Sequence, residues 1–281
     1  MSTPMDSRYT GVSELPPYRA LLVVDMKDYS GNAGRYQTDL TRLIPEIMQA
    51  AFDRAGLAGV WSRKTSHGTT GDGYAIVLPS ALLPHLLNPY LTALQEELEV
   101  RNRNRPYGWN GPVRFRVSIN VGPIVDSGGN VLGDGSGTER VTLHRLLDSD
   151  PVRHLLNGSD PEVTHVAAIV SRRVYEDAVL SRRADEAESL YVEVGAKVKT
   201  YQGQAYLRVP KPSAGLLSNG FLAGSRWSPP PTADTAGPPN PAGSSSGFGV
   251  QINGASGPIH TGSGAQYNAP QHATDPHGYQ R

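Results

Sequence analysis

The sequence predicts an α/β sandwich over residues 19–209, with helices packed on one sheet, from three patterns. Ala20–Val24 is an unbroken apolar run ending at Asp25, which suits a central strand buried on both faces. Leu40, Leu43, Ile44, Ile47, Met48, Ala51 and Phe52 then recur at helical spacing and close near Gly56. Val113–Val121 alternates (Val113, Phe115, Val117, Ile119, Val121) as a half-buried strand should.

The remaining elements fall between and after these. Pro45 sits inside the first helical stripe, so that helix should start late or kink there. Tyr74–Leu78 reads as a short strand stopped by Pro79. Asn88 and Pro89 read as a cap and first turn before Leu91, Leu94 and Leu98. A helix carrying Leu143, Leu146 and Leu147 follows the alternating strand. His165–Val170 is a further strand, and Ser171 caps a helix running to about Leu180. Leu190–Val194 and Ala205–Val209 close the domain. The order is βαββαβ with additions.

Composition bounds the function. The chain has 281 residues, with 26 Lys+Arg against 26 Asp+Glu, so no basic field gathers nucleic-acid phosphates. The absence of cysteine removes disulfides, thiolate metal sites and a Cys nucleophile. No apolar run is long enough to span a membrane, and the first residues lack signal-peptide order, so the expectation is a soluble cytoplasmic protein. Residues 1–18 read as a flexible N-terminal segment. Residues 210–281 hold 12 Gly, 11 Pro, 9 Ser and 9 Ala with five charges, too little apolar surface to offset ordering, and read as a disordered tail.

Two acidic residues stand out by position. Asp25 follows the first strand directly in Val23-Val24-Asp25-Met26-Lys27-Asp28-Tyr29-Ser30. Asp72 lies in Thr70-Gly71-Asp72-Gly73, at the tip of a hairpin turn before the Tyr74–Leu78 strand. Taken singly, an Asp after a strand is an ordinary turn residue, and Asp-Gly an ordinary hairpin turn. If the two strands are neighbours, two carboxylates and a strand-end carbonyl converge, and hard oxygen ligands suit Mg²⁺ or Mn²⁺ carrying a phosphorylated substrate.

These two segments, with Val113-Arg114-Phe115-Arg116-Val117-Ser118-Ile119-Asn120-Val121-Gly122-Pro123, resemble the class III nucleotidyl cyclase catalytic domain. Through Gly71-Asp72-Gly73, Arg145-Leu146-Leu147-Asp148 and the tail, the chain further resembles cyclase-like proteins common in actinobacteria. The resemblance implies a ferredoxin-like βαββαβ core of the cyclase type with extra C-terminal strands. It implies two metal ions, Mg²⁺ or Mn²⁺, on Asp25, the Met26 carbonyl and Asp72. It implies a nucleoside triphosphate as substrate, contacted around Tyr29 and Ser30 and by Lys199. Arg145 would be the transition-state arginine, and the unit would be a homodimer with shared sites, binding neither nucleic acid nor membrane.

Departures from the family pattern fall on base and ribose recognition. Val141 stands where an Asn donor is usual, Gly68 where a purine-reading Lys or Glu is usual, and Thr138 at its polar partner's position. Val cannot donate a hydrogen bond. The alternative function is therefore a catalytically degenerate module for nucleotide sensing or partner recruitment. In the tail, residues 247–268 carry a short β-forming motif around Val250-Gln251-Ile252-Asn253 that could self-assemble as a cross-β zipper.

Overall fold

The computed structural model describes residues 14–221. The chain enters the sheet as β1 (Tyr18–Met26), buried continuously from Ala20 onward, as its apolar run requires. Next comes α1 (Gly34–Arg54), whose buried stripe is Leu40, Ile44, Ile47, Met48, Ala51 and Phe52. It begins well before Pro45 and runs through it, so the expected late start does not occur. An interior proline costs about 3 kcal/mol. Each of the buried aliphatic side chains returns about 1.5–3 kcal/mol, so the stripe outweighs it.

A hairpin follows, β2 (Ser66–Thr69) and β3 (Gly73–Pro79), with Asp72 in its turn. After α2 (Leu83–Leu87) and α3 (Tyr90–Arg103) comes β4 (Phe115–Pro123). Asn88 does not cap α3; its amide donates instead to the Ala184 and Asp185 carbonyls, tying two distant loops. The order β1–α1–β2–β3–α3–β4 is the expected βαββαβ. Two helices, α4 (Thr138–Leu147) and α5 (Asp150–Asn157), then lead to β5 (Val166–Ser171). The sequence reading has no counterpart of α5, because eight residues give too short a window for a helical period. Ser171 caps α6 (Arg172–Val174) through the Val174 amide, and that turn continues as a π-helical segment, Tyr175–Leu180. A last hairpin, β6 (Val192–Val198) and β7 (Tyr201–Arg208), and the short α7 (Gly215–Asn219) complete the order.

All seven strands form one sheet in the order β2-β3-β1-β4-β5-β7-β6. Only β4 and β5 are parallel. On one face Ala20, Leu22, Val24 and Ile119 pack against α1 and α3 through Ile44, Met48, Leu91 and Leu94. On the other, Leu21 and Val23 meet Leu143 and Leu147 of α4. Further along that face, Ile169 and Leu207 meet Val152 and Leu155 of α5 and Leu216 of α7.

The expected boundary at 209/210 falls inside packed structure. The Ser213 hydroxyl accepts from the Asp160 amide (3.0 Å), the Lys211 carbonyl accepts from Thr164 Oγ1 (2.6 Å), and Leu216 is buried. Composition concealed this, because one leucine and a few hydrogen bonds suffice to hold a short segment. The tail motif at 247–268 and the N-terminal segment up to residue 13 lie outside the described residues. Among the described residues no helix is long and apolar enough to cross a membrane.

Candidate metal and nucleotide site

β1 lies between β3 and β4, so residues from two distant segments flank its end. In register, Asp25 stands opposite Gly73 on one side and Arg116 on the other. The Met26 amide donates to the Asp72 carbonyl (2.8 Å), which brings the hairpin turn against the end of β1. Glycine at 73 permits this approach, since a Cβ there would lie 2.5 Å from the Val24 carbonyl oxygen. Thr41 of α1 steadies the turn by donating to the Gly71 carbonyl (3.2 Å). Asp25 and Asp72 therefore meet, as the sequence reading requires of neighbouring strands.

Alternation along β1 puts Leu21, Val23 and Asp25 on the α4 face. Asp25 is only 8% exposed, and its pKa is pushed up to about 6. Burial is the largest cause, the Asp72 carboxylate raises it further, and the Arg116 guanidinium opposes both. Arg116 Nη2 donates to Asp25 Oδ2. Arg116 Nε, and Ser118 Oγ two residues along the same face, are buried without a hydrogen-bond partner among the described residues. The sequence reading did not assign Arg116 to the site. Its signal was the β4 alternation, which turns Phe115 and Val117 to one face and Arg116 to the other.

Tyr29 and Ser30 lie in a one-turn helix, Tyr29–Gly31, directly after the β1 end. The Tyr29 hydroxyl donates to Thr41 Oγ1 (2.8 Å), which leaves the Thr41 proton for the Gly71 carbonyl, so the Tyr29 side chain anchors α1. Ser30 is exposed. The two remaining candidates do not join the carboxylates within one chain. Arg145 lies on the outward side of α4, and Val141 one turn earlier is 54% exposed. Lys199 occupies the exposed β6–β7 turn with φ 52°. The β4–β5–β7 registers place that turn level with Pro123, at the opposite end of the sheet from Asp25.

No protein-family model matches the chain, and no curated protein matches it. Solved structures do. The monomeric guanylyl cyclase domain of the RhoGC fusion protein from the aquatic fungus Blastocladiella emersonii is 14% identical, over 70% of this chain and 98% of that one, with TM-score 0.45. The guanylate cyclase domain of RhGC from Catenaria anguillulae, in complex with GTP, is 14% identical over 72% and 100%, with TM-score 0.43. The adenylyl cyclase CyaB from P. aeruginosa is 15% identical over 68% and 93%, with TM-score 0.43.

Proposed function

We propose that this chain is a nucleotidyl cyclase-like domain that binds a nucleoside triphosphate through two divalent cations, Mg²⁺ or Mn²⁺. On this reading, two assembled copies form a 3′,5′-cyclic nucleotide and pyrophosphate. The observation that carries it is the meeting of Asp25 and Asp72 at adjacent strand ends. Two carboxylates close enough for one to raise the other's pKa fit a dication, which relieves their repulsion. Among the described residues no group of three or more His, Cys, Asp or Glu could hold a metal ion. Further coordination positions then fall to the Met26 carbonyl, phosphate oxygens and water. Such ions supply charge neutralisation of the triphosphate and a more acidic ribose 3′-hydroxyl.

The protein's own groups act around that centre. Arg116 offers a planar fork to phosphate oxygens once a cation occupies Asp25. The turn at Tyr29 and Ser30 follows the same strand end and would offer backbone amides and the Ser30 hydroxyl to phosphate oxygens. In the reaction the 3′-oxygen bonds to the α-phosphorus as the bond to the β-phosphate oxygen breaks. The hydroxyl proton passes to solvent and pyrophosphate leaves. Arg145 would stabilise charge gathering on the transferred phosphorus, and Lys199 would hold phosphate oxygens. Because both stand apart from Asp25 in one chain, they would serve the carboxylates of a second copy, which makes the functional unit a homodimer.

Val141 supports a second reading, a domain that binds metal nucleotide with little turnover, since an exposed aliphatic stands beside Arg145 where a donor would orient ribose. One experiment addresses both. The protein is titrated by calorimetry with each of the four ribonucleoside triphosphates and Mn²⁺, and the mixtures are read by mass spectrometry. Mn²⁺-dependent binding lost in Asp72→Ala, with circular dichroism unchanged, is the expected result. Equal affinity in mutant and parent overturns the metal reading, and cyclic product separates enzyme from binder.

A further inference from the structure

Both walls of a cleft next to Asp25 are fastened to a single residue, Arg114. The Lys27 amide, just past β1, donates to the Arg114 carbonyl (2.9 Å). The buried Arg114 guanidinium reaches the other way, donating to the Leu156 carbonyl of α5 (2.8 Å) and the Ser159 hydroxyl (2.7 Å). A third bond runs to the Thr164 carbonyl (2.9 Å). The β1 turn and α5 are thus held facing each other across the start of β4. Between them lies a cleft lined by Lys27, Asp28, Arg116, Arg153, Leu156 and Asn157.

Three cations face this cleft, and two of them are lightly held. Lys27 pairs with Asp28, whose side chain is 63% exposed. Arg153 pairs with Asp148 at 3.1 Å, with both side chains nearly half exposed. Exposed pairs of this kind contribute little and yield to a ligand of higher charge. Arg116, the third, pairs with Asp25 and so belongs to the cleft and the carboxylate pair at once. A cation taken up by Asp25 and Asp72 would release its guanidinium. The cleft lining would then present Lys27, Arg116 and Arg153 against the carboxylate of Asp28, with Asp148 behind Arg153.

We propose that this cleft receives the terminal phosphates of a metal-bound polyphosphate, and that Arg153 and Asn157 of α5 distinguish polyphosphate from monophosphate ligands. The proposal rests on the metal–nucleotide reading above and adds its phosphate end. Arg153 supplies a bidentate fork and Asn157 a neutral amide donor, the pair of groups suited to phosphate oxygens beyond the one at the metal.

The test uses the full chain and calorimetry, with inorganic tripolyphosphate plus Mn²⁺ as one probe and adenosine monophosphate plus Mn²⁺ as the other. Arg153→Gln should weaken tripolyphosphate binding about tenfold or more, the loss expected for one charge-assisted contact. Arg153→Lys, which keeps charge without the fork, should recover part of it, and monophosphate affinity should not change. Arg153 is half exposed, so these variants keep the fold. Equal tripolyphosphate affinity in Arg153→Gln, or equal loss for both probes, overturns the proposal. Asp72→Ala tells the two readings apart. If it abolishes Mn²⁺-dependent binding while Arg153→Gln changes nothing, the cleft assignment fails and the metal reading stands. If Arg153→Gln weakens tripolyphosphate binding while Asp72→Ala has no effect, the cleft stands and the metal reading falls.

Discussion

Arg116 donates to Asp25 across the β1–β4 ladder, so the protein places its own cation where a divalent metal would sit. On the proposed metal reading, the guanidinium and the metal compete for one carboxylate. Arg116→Leu should therefore lower the melting temperature of the metal-free protein, because it leaves a buried Asp25 beside Asp72. Once Asp25 takes up a proton, leaving this buried carboxyl without its donor costs about 1–3 kcal/mol. Mn²⁺ should then raise the melting temperature more in the variant than in the parent. A smaller rise in the variant would show that Arg116 and the metal do not compete.

Gly73 offers a purely steric handle on the same site. Replacing it with Ala puts a Cβ within 2.5 Å of the Val24 carbonyl and 2.6 Å of Thr70 Oγ1. The backbone must part, and the part that moves is the hairpin turn carrying Asp72. We expect Gly73→Ala to cost on the order of 2 kcal/mol and to weaken Mn²⁺ binding, although no ligand atom is removed. Denaturant midpoints and calorimetry on the same preparation check both. Unchanged metal affinity would mean that the carboxylate spacing is not what matters.

The apolar part of this fold was legible because period-two and period-3.6 patterns record which side of a strand or helix is buried. β1, α1 and β4 follow directly from them. Asp25 and Asp72 were legible by position at strand ends, given one assumption, that their strands pair. Arg116 required more. Its role depends on β4 being the other neighbour of β1, and on a register that sets residue 116 against residue 25. No local pattern encodes either. β2, with the sequence Ser66-His67-Gly68-Thr69, has no apolar alternation and is a strand only because β3 offers it an edge. The separation of Lys199 from Asp25 was hidden for the same reason, since it follows from strand order and register.

His165 gives the fold a pH dependence outside the site. It is buried, its Nδ1 has no hydrogen-bond partner among the described residues, and burial pulls its pKa down to about 4. Glu99 on α3 and Glu162 oppose the shift, whereas Arg114 and Lys211 reinforce it. The unfolded chain binds this proton near pH 6.5, so stability is complete above that value and falls as pH drops toward 4. The loss should be on the order of 3 kcal/mol. His165→Asn should flatten the slope of the urea midpoint over that window. An unchanged slope would mean that the imidazole is not the group responsible.

The packing of residues 210–221 separates two truncations. Cutting after Val209 removes Leu216 and the bonds of Ser213 and Lys211 to Asp160 and Thr164. About 2 kcal/mol for the leucine alone corresponds to a fall of roughly 4–8 °C in a domain this size. Cutting after Phe221 removes only Gly-, Pro-, Ser- and Ala-rich sequence and should leave the melting temperature within about 2 °C. Thermal scans of both truncations decide. Equal melting temperatures would mean that α7 adds nothing to the core.

Val141 decides between enzyme and binder. Residues four apart on a helix share a side, and Val141 and Arg145 share the outward side of α4. Val141 is exposed, so it contributes little to the core, and Val141→Asn should leave the melting temperature nearly unchanged. In the proposed homodimer both side chains would face the partner's carboxylates, with Arg145 answering the phosphorus charge and position 141 unable to orient ribose. A single donor aimed at the transition state is worth about 10² to 10³ in rate. Val141→Asn should therefore raise cyclic-nucleotide formation with Mn²⁺ by one to two orders of magnitude, with nucleotide affinity little changed. Mass spectrometry of the product and calorimetry of binding separate those two effects. Robust product from the parent protein with no gain from the substitution would show that valine here is no defect. Absence of product from both proteins, alongside intact metal-dependent binding, would establish the binder reading instead.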